Sequence, residues 1–215
     1  MPQVDFQLYF ISDRTQTRGR LLPEVTRLAG KGGIKAMQLR EKDLPPRALL
    51  QLASEIRSIT REYGMKLLIN DRVDVCLAVD ADGVHLPATG FPVRVARAIL
   101  GTERWIGVSC HSLDDIHEAE KAGADFAVFG PVYDTPSKRP YGVPLGLEGF
   151  REARKKTSLP LFALGGVRLE RLEEIFFAGA DGAAMISEIA SAEDISGRCR
   201  GLLRRIKNLW GDRGF

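Results

Sequence analysis

The chain has 215 residues, 44% of them hydrophobic and 27% charged, with a net charge of +3, the proportions of an ordinary globular protein with one sizeable core. Basic residues are interspersed with acids, which gives no footprint for nucleic acid; the one basic run, Arg200 to Lys207, reads as the solvated face of a last helix. No apolar run reaches membrane-spanning length, no signal-peptide pattern opens the chain, and Cys76, Cys110 and Cys199 are widely spaced without a CxxC, so no membrane association, disulfide framework or zinc site is expected and the cytoplasm is the expected location.

Phe6 to Ser12 reads as a first strand ended by the Asp13-Arg14 loop, and Leu22, Val25 and Leu28 recur at helical spacing until Gly30, Gly32 and Gly33. Ala36 to Arg40 is a second strand, and Pro45-Pro46 opens a helix carrying Leu49, Leu52, Ile56 and Ile59. Lys66 to Asn70 is the third strand, with a short helix through Val73 and Leu77. Gly83 to Leu86 is the fourth, followed by a helix from Val93 to Leu100. Trp105 to Ser109 is the fifth; Ser112 and Asp115 then form a capping pair for a helix to Ala122. Phe126 to Gly130 is the sixth, and after a loop holding Pro131, Pro136, Pro140 and Pro144 a helix runs from Leu147 to Lys156. Pro160 to Val167 is a strand ending in Gly165-Gly166 before a helix from Arg168 to Ala178. Gly179 to Ser187 holds the eighth strand and leads into another helical stretch, and Ile195 to Trp210 is the closing helix. Eight strand–helix units imply a parallel sheet closed on itself, an α/β protein with a single (β/α)8 TIM barrel over residues 1–215. Gly-Ala-Asp recurs at Gly123 to Asp125 and Gly179 to Asp181, each time just before a strand, and reads as a turn of the repeated unit.

In such a barrel the active site lies at the C-terminal strand ends, with a phosphate site after strands seven and eight. The polar residues at those ends are Gln38, Arg40 and Lys42; Asn70, Asp71 and Arg72; His85; Ser109 and His111; Thr135, Ser137 and Lys138; and Gly166 with Ser187. Arg40, Lys42 and Lys138 gather three cations at one mouth, which suits a ligand with more than one phosphate. Asp71 offers a hard oxygen for Mg²⁺, and pyrophosphate oxygens supply others. The Gly165-Gly166 turn after strand seven and the Ile186-Ser187 turn after strand eight offer backbone N–H groups to a phosphate. Blander readings stand beside each: Arg40-Glu41 also fits a surface ion pair, Asn70-Asp71 a helix cap, His85 a barrel-interior histidine, and Cys110 a packed small residue. The coincidence of polar residues with successive strand ends favours a site.

Taken together these segments resemble the thiamin phosphate synthase and TenI family. The matching stretches are Gln38 to Lys42, Ile69 to Arg72, Asp82 to Leu86, Gly107 to Ser109 with His111, Phe129 to Pro131, Thr135 to Lys138, Gly165-Gly166 and Ile186-Ser187. The resemblance implies coupling of a hydroxymethylpyrimidine diphosphate to a thiazole phosphate with loss of pyrophosphate. It assigns Gln38, Arg40, Lys42, Asn70, Ser109 and Lys138 to the pyrimidine diphosphate, Asp71 to Mg²⁺, and Thr135, Pro136, Ser137, Gly166, Ile186 and Ser187 to the thiazole phosphate. One position departs from the pattern: Gly90 stands where the synthases place a second metal-binding Asp, which weakens the expectation of Mg²⁺. Leu86-Pro87 and Phe91 look more like TenI, in which His111 becomes the general acid/base of a thiazole tautomerase. A phosphate-binding barrel without catalysis is the third reading, and self-association is left open.

Overall fold

Side-chain alternation along short strands decides which residues fill the barrel and which meet the helices around it. The computed structural model describes residues 3–135 and 143–211. Strands β1 (Leu8–Ile11), β2 (Ala36–Leu39), β3 (Lys66–Asn70), β4 (Gly83–Leu86), β5 (Trp105–Cys110), β6 (Phe126–Phe129), β7 (Leu161–Ala163) and β8 (Gly182–Met185) pair in parallel with their sequence neighbours. Leu8 to Phe10 of β1 pair with Ala183 to Met185 of β8, and that pairing closes the barrel. Around it lie α1 (Leu22–Lys31), α2 (Pro46–Glu62), α3 (Val73–Ala78), α4 (Val93–Leu100), α5 (Leu113–Lys121), α6 (Gly146–Lys155), α7 (Leu172–Phe177), α8 (Ser187–Ala190) and α9 (Ile195–Gly211). The barrel expectation holds.

Successive strand residues face opposite ways. Tyr9, Ile11, Ala36, Leu68, Trp105, Phe126, Val128, Phe162 and Ala184 point inward and form an interior cluster with Phe6. Their neighbours Leu8, Phe10, Met37, Leu39, Leu67, Ile69, Val84 and Ile106 point outward onto helix residues such as Val25, Ile56, Ile116, Phe150 and Ile206. Burial on both faces explains why each strand reads as an apolar run. Phe6 packs within 5.2–5.6 Å of the Tyr9, Trp105, Phe126 and Phe162 rings. Together these rings plug the lower end of the barrel. It is a floor, not a pore.

The lower rim also explains the Gly-Ala-Asp repeat. Asp125 Oδ2 accepts from Ile106 N (2.6 Å) at the base of β5 and from Arg97 of α4 (2.6 Å). Asp181 Oδ2 does the same with Leu161 N (2.7 Å) of β7 and Arg154 (2.5 Å) of α6. A third copy without the glycine is Asp82, bound to Leu67 N (2.9 Å) of β3 and to Arg57 (2.6 Å) of α2. Each acid ties a strand to the helix that precedes it.

Element ends differ from the sequence expectation for identifiable reasons. β7 spans three residues because the carbonyls of Leu164 and Gly165 accept from Val132 N (2.8 Å) and Tyr133 N (3.0 Å) of the loop after β6. The helix expected from Arg168 begins instead as a 3-10 turn over Leu169–Arg171 and becomes α-helical at Leu172. A 3-10 turn over Arg14–Gln16, capped by Asp13, was not signalled by periodicity. The Ser112–Asp115 capping box forms as expected. No helix among the described residues is long and apolar enough to cross a membrane.

Candidate active site

The alternation that fills the barrel also carries polar side chains to its upper end. Gln38, Asn70 and Ser109 sit two or four residues from the inward-facing Ala36, Leu68 and Trp105, and His85 lies between the outward-facing Val84 and Leu86, so all four face the axis. Gln38 and His85 are buried, while Asn70 and Ser109 are half-buried at the mouth. His85 Nε2 lies 3.0 Å from Ser109 Oγ, its Nδ1 is 3.5 Å from the Tyr9 hydroxyl, and Gln38 Nε2 is 3.4 Å from that hydroxyl. The imidazole fits because its neighbour across the sheet is Gly107, where a Cβ would lie 2.7 Å from Nδ1. Burial, and then the charge of Arg40, push the His85 pKa down to about 3, so its ring is neutral. The interior-histidine reading is right, and the same ring reaches the site.

The loop after β2 is fixed from beneath. Glu41 is buried; it accepts from Ser12 Oγ (2.6 Å) and from the backbone N and guanidinium of Arg14 (3.2 Å each). Ser12 Oγ in turn accepts from Arg40 N (2.8 Å). Glu41 is therefore not the surface partner of Arg40. Arg40 instead acts electrostatically on Asp13, Lys42 and His85. Burial pulls the Lys42 pKa down, Arg40 adds to this, and Asp71 opposes it. Two cations thus face one carboxylate at this mouth, a field that awaits an anion.

Asp71 leaves β3 in the left-handed region, at φ 61. Its N–H donates to His85 O (2.9 Å) and its Oδ1 accepts from Phe91 N (3.1 Å). The helix-cap alternative for Asn70-Asp71 fails, because the N-cap of α3 is Arg72 and no side chain caps it. A left-handed Asp is uncommon and such conformations concentrate at functional sites. Beside it stands Gly90, where a Cβ would lie 2.6 Å from Asp71 Oδ1. Among the described residues no three His, Cys, Asp or Glu side chains gather as a metal cluster.

On the other side of the mouth Gly165 and Gly166 have φ of 94 and 66, and a Cβ on Gly166 would meet Tyr133 Cβ at 2.7 Å. Arg171 donates to Gly166 O (2.9 Å) and lies 4.1 Å over the Tyr133 ring, whose hydroxyl donates to Glu174 (2.6 Å). Ile186 caps α8 and Ser187 is its exposed first residue; Thr135 is half-buried. Pro136, Ser137 and Lys138 lie outside the described residues.

The chain matches the family model TMP-TENI, thiamine monophosphate synthase, over residues 8–189. The chain belongs to this family. It is 50% identical over 203 residues to a "Putative thiamine-phosphate synthase" of Geobacter sulfurreducens, covering 94% of this chain and 95% of that one. It is 42% identical over 210 residues to the thiamine-phosphate synthase of Syntrophomonas wolfei, covering 98% and 99%. The solved thiamine phosphate pyrophosphorylase of Pyrococcus furiosus superposes with a TM-score of 0.85 at 36% identity, covering 94% of this chain and 96% of the other.

In this thiamine monophosphate synthase family member several contributors escaped the sequence reading. Tyr9, Ser12 and Glu41 touch or hold site residues, yet Tyr9 and Ser12 read as parts of the first strand and Glu41 as a surface partner of Arg40. Period-two counting from Ile11 was the available signal for Tyr9. His111 is exposed, with Nδ1 2.5 Å from the carbonyl of Gly130, to which that nitrogen donates, leaving Nε2 free of this contact. Cys110 is buried, its thiol pushed up to about 12 by burial first and by Asp115 second, which suits a packed residue and not a nucleophile.

Proposed function

We propose that the chain is a thiamine-phosphate synthase that joins a hydroxymethylpyrimidine diphosphate to a thiazole phosphate. The observation that carries this reading is one barrel mouth holding inward-facing polar groups (Gln38, Asn70, Ser109) beside a paired cationic field (Arg40, Lys42), in a member of this family. In the reaction the bond from the pyrimidine methylene to the diphosphate oxygen breaks, its electron pair leaving with pyrophosphate. The thiazole nitrogen lone pair then forms the new C–N bond.

Arg40, Lys42 and Lys138 oppose the charge that grows on the leaving group. Gln38, Asn70 and Ser109 orient the pyrimidine, and the barrel wall excludes water from the electron-poor methylene. Thr135, Pro136, Ser137, Gly166, Ile186 and Ser187 take the thiazole phosphate. The residues fit Mg²⁺ in one form only. With one carboxylate and Gly90 beside it, Asp71 would hold the ion jointly with diphosphate oxygens, a common arrangement for this ion. Bound that way, the ion would supply further neutralisation of the leaving group. The three cysteines are free and buried, which suits a reducing cytoplasm.

Incubation of the purified protein with both substrates and Mg²⁺ tests the proposal. Thiamine phosphate and pyrophosphate should appear in equal amounts, and EDTA should suppress both. Aromatisation of the thiazole tautomer alone, surviving EDTA and lost in His111→Ala, would replace the synthase with a tautomerase.

A further inference from the structure

Gln38, Tyr9, His85 and Ser109 form one file from the aromatic floor to the mouth. Tyr9 and His85 rest against the Phe126 ring, at 5.5 and 5.9 Å. Gln38, Tyr9 and His85 are all buried, so their polar atoms find partners within the file or stay costly. A hydroxyl and a neutral imidazole each carry a single proton to place.

Gln38 Nε2 donates to the Tyr9 hydroxyl at 3.4 Å. Tyr9 then turns its own proton to His85 Nδ1, 3.5 Å away. With Nδ1 accepting, the ring proton sits on Nε2, and Nε2–H donates to Ser109 Oγ at 3.0 Å. The Ser109 proton is directed away from the ring, toward the mouth. We propose that this file makes Ser109 a fixed hydrogen-bond donor, with Tyr9 and His85 as positioning residues, so the site selects a ligand presenting an acceptor lone pair there, such as a ring nitrogen of an aminopyrimidine. Reversing the Gln38 amide would reverse every proton and leave Ser109 offering a lone pair, so one file has two mutually exclusive polarities. Only the naming of the ligand rests on the synthase reading; the proton order does not.

Long-range proton–nitrogen correlation on ¹⁵N-histidine protein reads the order directly, without ligand or activity. The His85 signal is assigned by its loss in His85→Gln, or by elimination with His111→Gln and His117→Gln, both at exposed positions. The neutral Nε2–H tautomer is expected in the parent, with Nδ1–H form appearing in Tyr9→Phe. A parent in the Nδ1–H form, or doubly protonated, overturns the proposal. Kinetics then test positioning. Tyr9→Phe should lower kcat/KM for the pyrimidine diphosphate roughly tenfold, and have no further effect in a Ser109→Ala background. Equal loss in both backgrounds would make Tyr9 merely structural and overturn its assigned role. A protein with the expected tautomer but no coupling activity would leave the proton order standing and refute the synthase reading alone.

Discussion

His85 is a base held neutral where water does not reach it, and this has a cost that depends on pH. Its folded pKa, pushed down to about 3, lies below the ordinary histidine value. As pH falls below about 6.5 the unfolded chain takes up a proton that the folded chain refuses, so stability drops by about 1.4 kcal/mol per pH unit from this group. The contribution is complete above that pH and is lost progressively toward the folded value. Between pH 7 and pH 5 urea unfolding of the parent should therefore lose about 2 kcal/mol more than that of His85→Gln, which has nothing to titrate there. Equal losses would show that the ring is not held neutral. Residue-scale reading of the sequence found Gln38 and His85 but not their connection through Tyr9, which lies 76 residues from His85 in the chain. Two glycines also answer to their protein neighbours. Gly166 is required by its left-handed φ and by the closeness of Tyr133, and a Gly90→Asp change would push its Cβ against Asp71 before adding any ligand.

At the scale of elements, strands and helices were legible because burial on both faces makes each strand an apolar run, while burial of one face gives each helix its spacing. Their ends were less so, because they depend on partners distant in sequence: Val132 and Tyr133 end β7, and Arg97, Arg154 and Arg57 complete turns that begin at an Asp. The three lower-rim acids should not contribute equally. The Asp125 side chain is 2% exposed and Asp181 36%. Burial pushes the Asp125 carboxyl up, ahead of the opposing pull of Ile106 N–H and Arg97, and its Oδ1 has no hydrogen-bond partner among the described residues. Removing it takes the countercharge from Arg97, itself mostly buried, and the acceptor from the buried Ile106 N–H, so Asp125→Ala should cost about 3 kcal/mol in urea unfolding. Asp181→Ala should cost about 1 kcal/mol, since water can solvate what it leaves. Equal costs for the two would contradict the role given to burial.

At the scale of the whole molecule the barrel separates stability from chemistry. The floor of Phe6, Tyr9, Trp105, Phe126 and Phe162 and the acid–arginine ties lie at the lower end, and the polar groups and cations lie at the upper one. That separation made the fold and most of the candidate site readable from one chain, since eight repeats fix which end of each strand faces the site. The supports of the site were not readable, because Ser12 reads as a strand end and Glu41 as a surface charge until folding brings them under Arg40. The most direct test of the account is the rate of thiamine phosphate formation, with both substrates and Mg²⁺, in the parent, Ser109→Ala and Asp181→Ala. The parent should turn over, Ser109→Ala should lose about 100-fold or more, and the folded lower-rim variant should keep a rate within about twofold of the parent. A parent that forms no thiamine phosphate, or a Ser109→Ala protein as fast as the parent, would contradict it.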